Sequence, residues 1–259
     1  PSLQRTLVRS LESSLFSQLS SRLSSRPSVL SLTVSKFSRA WVRSIPSSSS
    51  FFTDREFSLA SRLRLGLPPS DSLPRVCRCS HRLSEDPTHF LSCELLKPVA
   101  TVRHNRIVRY LSTLVQRAGG VSYVEPRYLE DKRPDIHAFF PDDRVMLDVS
   151  VVHPLAPSYS HLQDGAAVRY RENSKVSSYS SLAKDAGSRF VPFVLDSFGT
   201  LGSFADRFMQ DLASYAKESF SHFYSSSSAL SSLSVLLQKG NAEILAQGCL
   251  MARSALQVG

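Results

Sequence analysis

The 259-residue chain has no run of about eighteen apolar residues, the length that a transmembrane helix requires. Arg5, Arg9 and Glu12 interrupt the first leucines, so the compact hydrophobic stretch of a secretory signal peptide is missing as well. These absences predict a soluble, intracellular protein with no membrane partner. In such a compartment the four cysteines are not expected to form disulfides. The chain begins at Pro1 rather than at methionine, as expected for a fragment or processed piece of a longer protein.

Positive charge is abundant but unevenly distributed. The net charge is +9; residues 1–118 carry 18 Lys and Arg against 7 Asp and Glu, whereas residues 119–259 carry 13 against 15. Clustered Lys and Arg bind phosphates through counterion release, largely regardless of base sequence. The N-terminal half is therefore expected to contact nucleic acid. A solvated basic surface or an organelle-targeting leader is the alternative interpretation.

Two aspartates on predicted strands carry the most informative chemical pattern. Asp135 follows an Arg-Pro dipeptide, and Asp148 stands after twelve intervening residues in the apolar run 145–152. No cation within that run can pair with Asp148, and a buried carboxylate costs several kcal/mol unless it is paired or binds a metal. A hairpin through residues 141–143 would bring the two strands side by side with both carboxylates on one face.

Two adjacent carboxylates suit a hard divalent cation, which also keeps room for water and a substrate phosphate. The sequence therefore predicts that Asp135 and Asp148 bind Mg²⁺ or Mn²⁺, which would activate water and polarise a phosphodiester. Glu125, in the predicted strand 121–126, is a possible third ligand. The alternative is that Asp135 only opens a strand and that Asp148 pairs with a distant arginine.

Cysteine and histidine side chains predict a second metal site. Three thiolates and one imidazole make a complete tetrahedral zinc set, and a polar, proline-containing turn separates the two ligand pairs. We therefore expect structural Zn²⁺ in a small knuckle. His81 is a competing ligand, a group of free or buried thiols is the alternative, and Cys249 is expected in the core. The four candidate ligands are Cys77, Cys79, His89 and Cys93.

A basic helix is predicted over residues 103–118. Ile107, Leu111, Leu114 and Ala118 fall on one helical face, and arginines occupy the remainder. Side chains on such a helix are expected to reach a DNA backbone, although a solvated helix face explains the pattern equally well. The candidate nucleic-acid ligands are Arg103, His104, Arg106, Arg109 and Arg133.

The order of these motifs resembles the C-terminal region of site-specific non-long-terminal-repeat retrotransposon proteins, where a zinc knuckle precedes a restriction-like endonuclease. The resemblance implies an α/β fold: a restriction-endonuclease-like PD-(D/E)XK core with a mixed central sheet flanked by helices, preceded by a helical segment and the knuckle. The matching segments are 40–42, 45–46, 62–67, 77–79, 89–93, 103–105, 125–126, 133–135, 148–151, 166–167, Lys175, Tyr179, 190–193 and 198–199.

One position departs from the usual nuclease pattern. Restriction-like nucleases carry a lysine two residues after the second carboxylate, where it stabilises transition-state charge, and this chain has Ser150 there. The resemblance implies that the lysine is relocated to the following helix, where Lys175 is the match. Glu172 and Tyr179 lie one helical turn from Lys175 and are possible catalytic residues; Lys184 is the reserve lysine. An ordinary surface ion pair between Glu172 and Lys175 is the alternative.

Four segments are expected along the chain. They are a basic, Ser-rich helical segment at 1–66, the Cys₃His zinc knuckle at 67–98, the endonuclease core at 99–220, and a Ser-rich linker at 225–228 with a C-terminal helix in 221–259. The first segment contains leucines at helical intervals over 7–23 and a helix that Thr53 and Glu56 cap. The central sheet is expected near Val121, Ile136, Val145 and Phe190, flanked by helices at 103–118 and 166–184.

The function expected from this pattern is magnesium-dependent nicking of double-stranded DNA by phosphodiester hydrolysis. The resemblance implies target-primed reverse transcription in the nucleus, with element RNA and an upstream reverse transcriptase domain as partners. No polymerase motif is present, because Asp142 and Asp143 lie in a predicted turn. The alternatives are a catalytically inactive, zinc-containing nucleic-acid-binding module and a junction-resolving or repair nuclease on the same fold.

Overall fold

The computed structural model describes residues 35–44, 51–84, 86–126, 133–163 and 165–254, together with helical positions 10, 13, 14, 17 and 18. The five leucines of the helix predicted over 7–23 lie outside the described residues. No described helix is long and apolar enough to cross a membrane.

In the described chain three helices precede three strands, and a helix, a fourth strand and two further helices follow. The helices are α1 (Lys36–Arg43), α2 (Asp54–Arg64), α3 (Lys97–Arg117), α4 (Ala166–Asp185), α5 (Ser203–Glu218) and α6 (Ser226–Ser254). The strands are β1 (Val121–Val124), β2 (Ile136–Phe139), β3 (Arg144–Val152) and β4 (Arg189–Asp196). Short 3₁₀ turns lie at His89–Leu91, Glu94–Leu96 and Pro157–Tyr159.

The four strands form one mixed sheet in the order β1-β2-β3-β4. β1 pairs with β2 and β2 with β3 in antiparallel fashion, whereas β3 and β4 are parallel and α4 connects them. This confirms the predicted α/β class with a mixed central sheet flanked by helices. Ile136 is the first residue of β2 and lies opposite Leu147, so β3 continues for five residues beyond its pairing with β2.

Strand β3 is buried on both faces, as its apolar run predicts. On one face Val145, Leu147 and Val149 join the main core, which also contains residues of α3 and α5. On the other face Val152 packs against Val168 of α4. Asp148 alternates with Leu147 and Val149, so its side chain points to the α4 face.

Helix α2 begins, and helix α3 ends, for the reason that the sequence indicated, although α3 starts at Lys97 and not at the predicted residue 103. Thr53 accepts a hydrogen bond from the Glu56 N–H, and the Glu56 carboxylate accepts one from the Thr53 N–H, which confirms the capping box of α2. The predicted apolar stripe of α3 is fully buried, and α3 ends before Gly119, whose φ of +89° suits glycine. The buried stripe residues are Ile107, Leu111, Leu114 and Ala118.

The last helix differs from the expectation of a serine-rich linker at 225–228. Helix α6 begins at Ser226, because Ala229, Leu233 and Leu237 in its first half pack into the main core. Its second half, including Ile244, packs into a second core with the cysteine-rich segment. Cys249 is buried in that second core, as predicted.

Helix α6 approaches its neighbours closely at two glycines. A Cβ atom on Gly240 would lie 2.3 Å from Cγ of Arg103, and one on Gly248 would lie 2.4 Å from Cγ of the Phe90 ring. Phe90 is fully buried beside the cysteine-rich segment. The close packing of α6 against both cores therefore depends on glycine at these two positions.

We expect Gly248→Ala to lower the free energy of unfolding by about 1–3 kcal/mol, because the added methyl group overlaps the buried Phe90 ring. Alanine has the higher helix propensity by about 1 kcal/mol, so a loss of stability would come from packing. Urea unfolding measures the change. Gln247→Ala, on the exposed side of the same helix, is the control and should change little. A Gly248→Ala protein as stable as the wild type would contradict the packing.

Candidate functional site

A cleft opens where β3 extends beyond β2. Asp135 immediately precedes β2, whose first residue, Ile136, pairs with Leu147, so Asp135 and Asp148 both lie just past the last pair of β2 with β3, and both line the cleft. The cleft has a volume of about 460 Å³. Its lining residues are His104, Asp135, Asp148, Val149, Ser150, Val151, Val152, Tyr159, Arg171 and Lys175. The structure therefore brings together Asp135, Asp148 and Lys175, the three residues that the sequence singled out.

The shortest charged contact in the cleft joins Asp148 and Lys175. Nζ of Lys175 lies 2.7 Å from Oδ2 of Asp148, and their side chains are 18% and 6% exposed. Oδ2 is buried and lacks a well-aligned hydrogen-bond donor among the described residues, despite this short distance. Burial and the charge of Asp135 raise the pKa of Asp148, whereas Lys175 and Tyr179 act in the opposite direction. Lys175 is thus the main cation that compensates this buried carboxylate.

Asp135 is fixed by the backbone and by His104. Its Oδ2 atom accepts a hydrogen bond of 2.6 Å from the Val149 N–H and lies 3.3 Å from Nε2 of His104. Nε2 of His104 also lies 3.1 Å from the Val149 carbonyl oxygen, and Nδ1 contacts Asn105 Oδ1 at 3.1 Å. Burial alone would lower the pKa of His104, but Asp135, Asn105 and Val149 raise it to about 9. His104 therefore carries positive charge at neutral pH.

Tyr179 supports the lysine rather than lining the cleft. Its ring stacks on Phe190 with centroids 5.0 Å apart, and its hydroxyl donates to the Arg133 carbonyl at 3.4 Å. Nζ of Lys175 lies 5.3 Å from the centroid of the same ring. Burial, followed by the negative charge of Asp148, raises the pKa of Tyr179 to about 12, so the phenol stays protonated.

Glu172 does not face the cleft, although helical spacing had placed it with Lys175 and Tyr179. It is buried against the start of α5, where its carboxylate accepts hydrogen bonds from the Phe204 N–H at 3.0 Å and the Ser203 hydroxyl at 3.3 Å. This position corrects both earlier interpretations of Glu172, because the carboxylate caps a helix and does not pair with Lys175.

Glu125 also stays outside the cleft. Glu125 is exposed, its backbone has a φ of +47°, and its N–H donates a hydrogen bond of 2.9 Å to the Asp135 carbonyl oxygen. Lys184, the reserve lysine, is exposed near the end of α4 and does not line the cleft. Glu125 therefore does not supply the third metal ligand that the sequence suggested.

The predicted nucleic-acid ligands fall into different environments. Arg103 is buried, and its Nη1 donates to Asn241 Oδ1 at 2.5 Å; burial lowers its pKa to about 10. This corrects its assignment as a DNA ligand, since α6 covers it. Arg106 is exposed and pairs with Glu243 at 2.5 Å. Arg109 and Arg133 are exposed, and His104 lies in the cleft.

Sequence reasoning missed Arg171 and Tyr159, which line the cleft beyond the aspartates. Nε of Arg171 lies 3.4 Å from Oγ of Ser150, the residue that stands where a lysine was expected. One signal was available: Arg171 precedes Lys175 by four residues and shares its helical face. No comparable sequence signal points to Tyr159, because a loop determines its position.

The cysteine-rich segment forms a separate cluster of potential metal ligands. One ligand atom from each of four residues lies within 4.8 Å of the others, and these residues are Cys77, Cys79, His89 and Cys93. The sulfurs of Cys77 and Cys93 are 3.9 Å apart, and Cys79 Sγ lies 3.0 Å from His89 Nε2. Zinc–sulfur bonds of about 2.3 Å in tetrahedral geometry separate two sulfurs by roughly 3.8 Å, so the set fits a metal ion such as zinc.

His81 lies beside this cluster. Its ring stacks on that of His89, with centroids 4.0 Å apart and planes 6° apart. With Asp86 and His89 it forms a second possible ligand set. His89 can therefore bind a metal either with the three cysteines or with His81 and Asp86, and substitution of single ligands distinguishes the two sets.

A buried polar chain joins the cysteine-rich segment to the sheet. Asp86 accepts hydrogen bonds from the N–H and hydroxyl of Thr88, whose oxygen lies 3.0 Å from Nε2 of His153. Nδ1 of His153 lies 2.8 Å from the Ser197 hydroxyl, just beyond β4. Burial lowers the pKa of His153 to about 4, so the imidazole is neutral. His153 directly follows β3, which ties this chain of contacts to the strand that carries Asp148.

The chain matches no protein-family model and no curated protein. Its function is therefore inferred from the arrangement of its own side chains. Two features bear on it, namely the carboxylate cleft and the Cys/His cluster.

We expect the purified protein to hold one tightly bound metal ion per chain at the Cys/His cluster. Cys79→Ser and His89→Asn should each lower the bound metal severalfold, because each removes one of four ligands. His81→Asn should retain the metal, as should the control Cys249→Ser. Elemental analysis of gel-filtered protein gives the content, and cobalt substitution reports thiolate ligation by absorption. Loss of metal in His81→Asn with retention in Cys79→Ser would favour the second ligand set.

We expect His104→Asn to flatten the pH dependence of stability between about pH 6.5 and 9. The pKa of His104 is raised in the folded protein, so its stabilisation is fully present below the unfolded value and is lost as the pH rises through about 9. The loss is at most about 3 kcal/mol. Urea unfolding across this range, without added divalent metal, measures it. His161→Asn, at an exposed position, is the control; equal slopes in wild type and His104→Asn would contradict the expectation.

Proposed function

We propose that the protein is a metal-dependent DNA endonuclease with a restriction-like PD-(D/E)XK core, which nicks DNA by phosphodiester hydrolysis. One observation carries the proposal: Asp135 and Asp148 line one cleft at the open end of β3, with Lys175 Nζ 2.7 Å from Asp148. Two carboxylates and a lysine in a cleft are the groups that this hydrolysis needs.

The donor set of the cleft suits Mg²⁺ or Mn²⁺. Asp135 and Asp148 would hold the ion, because both are carboxylates that line the cleft and hard divalent cations take oxygen ligands. Magnesium bound there would supply Lewis acidity toward the phosphodiester and toward a water nucleophile.

The chain's own cations have separate tasks in this proposal. Lys175 lines the cleft with a side chain that is 18% exposed, and its ammonium can stabilise negative charge that develops on the phosphoryl oxygens. His104 holds Asp135 in place through its charged imidazole. Tyr179 restricts Lys175 by contact with its ammonium and by stacking on Phe190. These contacts keep the reacting groups in a fixed geometry before DNA arrives.

The Cys/His cluster serves as a structural zinc site in this proposal. Four protein ligands close a tetrahedral zinc shell and leave no open position for a substrate. Two of the ligands, Cys77 and Cys93, are buried in the second core with Leu63 of α2 and Ile244 of α6. Zinc there would stabilise the fold around the cleft.

The substrate in this proposal is double-stranded DNA. The positive charge of the N-terminal half and the exposed Arg109 and Arg133 favour a polyanion. The order of motifs further suggests target-primed reverse transcription in the nucleus, with element RNA and an upstream reverse transcriptase domain as partners. That biological setting rests on the resemblance and not on the cleft.

A zinc-containing nucleic-acid-binding module without activity is the second candidate. The ion pair between Asp148 and Lys175 favours it, because the lysine already neutralises the carboxylate without a metal. Among the described residues, no three metal-ligating groups of the cleft lie within 4.8 Å of one another. This candidate predicts salt-dependent DNA binding without cleavage.

Nicking of supercoiled plasmid distinguishes the two candidates. We expect magnesium-dependent nicking that falls at least about 100-fold in Asp135→Asn, Asp148→Asn and Lys175→Ala. Asp142→Asn in the exposed turn and Lys217→Ala on α5 make matching charge changes outside the cleft and should nick normally. Magnesium is omitted rather than chelated, so that the zinc site stays loaded.

Affinity for DNA in calcium separates lost chemistry from lost binding. Cleavage that survives in Asp135→Asn would contradict the assigned site. DNA retardation without nicking by wild-type protein, at concentrations that saturate the plasmid, would favour the binding module. Faster cutting of branched DNA than of linear duplex would indicate a junction-resolving or repair nuclease.

A further inference from the structure

The cleft continues past the two aspartates along the open edge of β3. Beyond Asp148 it is lined by Ser150, Val152, Tyr159 and Arg171. Alternate residues of a strand direct their backbone groups to the same edge. Val149 uses its N–H and carbonyl at this edge to contact Asp135 and His104, so the N–H of Val151 points the same way. This part of the cleft therefore offers a backbone donor as well as a cation.

Arg171 is a half-buried cation that forms no ion pair within the described part of the chain. Its described contact is with the Ser150 hydroxyl, 3.4 Å from Nε, which orients the guanidinium without neutralising it. By contrast, Arg62, Arg106 and Arg189 each pair with a carboxylate. A guanidinium presents two parallel N–H donors that match a phosphate, so Arg171 is suited to bind one.

The distance from Asp148 to Ser150 along β3 is similar to the distance from Lys175 to Arg171 along α4. Ser150 follows Asp148 by two residues, roughly 6.6 Å along β3. Arg171 precedes Lys175 by four residues, roughly 6 Å along α4. The two contacts, Lys175 with Asp148 and Arg171 with Ser150, are thus successive steps along one cleft. A separation of this size corresponds to about one nucleotide of an extended strand.

We propose that Arg171, held by Ser150, forms a subsite for the phosphodiester next to the one that Asp135 and Asp148 address. The subsite rests on the proposed nuclease function, and it would fix the register of the nicked strand in the cleft. Tyr159 lines the same cleft. Arg171 contacts the substrate directly but takes no part in bond cleavage.

Salt-dependent binding tests the subsite without requiring cleavage. The probe is a fluorescent DNA duplex, and its affinity is measured by anisotropy in calcium at several salt concentrations. Arg171→Ala should weaken binding about tenfold and reduce the slope of log affinity against log salt by about one. Arg207→Ala removes the same charge from α5, on the other side of the sheet, and should change neither value. Unchanged binding in Arg171→Ala, or no binding by wild type, would overturn the subsite.

Neutral phosphate analogues then locate the contact on the strand. For a duplex with a mapped nick, a methylphosphonate next to the scissile phosphate should weaken wild-type binding about tenfold but leave Arg171→Ala nearly unaffected. The same analogue is also placed at the scissile phosphate itself. If the wild type and Arg171→Ala differ in their response only at that position, Arg171 binds the reacting phosphate and the subsite is overturned. If wild type never nicks while Arg171→Ala still lowers affinity and salt slope, the phosphate site stands and the nuclease proposal fails.

Discussion

A carboxylate inside an apolar strand sets the main constraint on this structure. Asp148 lies in β3 between residues that pack into the main core, and an uncompensated charge there would cost several kcal/mol. Lys175 supplies the compensation from α4, which must cross the face of β3 to reach it. The same helix connects β3 to the parallel strand β4, while β2 stops pairing at Leu147 and leaves the end of β3 open beside Asp135. The ion pair between Asp148 and Lys175 thus joins strand β3 to helix α4 at the edge of the cleft.

Local patterns in the sequence were sufficient for much of the fold. The capping box at Thr53, the apolar stripe of α3 around Leu111 and the buried run of β3 depend on neighbours within a few residues, and the structure has all three. The proximity of Asp135 and Asp148 was also predictable, because a hairpin brings their two strands together. Each of these features is determined by residues that are close together in the sequence.

Features set by contacts between distant segments were not predictable in this way. Arg103 and Arg106 look alike in the sequence, yet Arg103 is buried because Asn241 of α6 accepts its hydrogen bond, whereas Arg106 remains exposed. Glu172 shares helical spacing with Lys175 but turns to the start of α5, where free backbone N–H groups attract it. Periodicity shows which residues share a side of a helix; tertiary packing decides what each side meets.

Because helix α6 packs into both cores, the segments read from the sequence do not correspond to cooperative folding units. Its Leu233 packs into the main core. Its Ile244 packs into the second core, which also contains Cys77 and Cys93. A segment cut out at residues 67–98 would retain its cysteines but lose the helix against which they pack. The knuckle is thus not a portable module, and we expect both cores to lose their order together when α6 detaches.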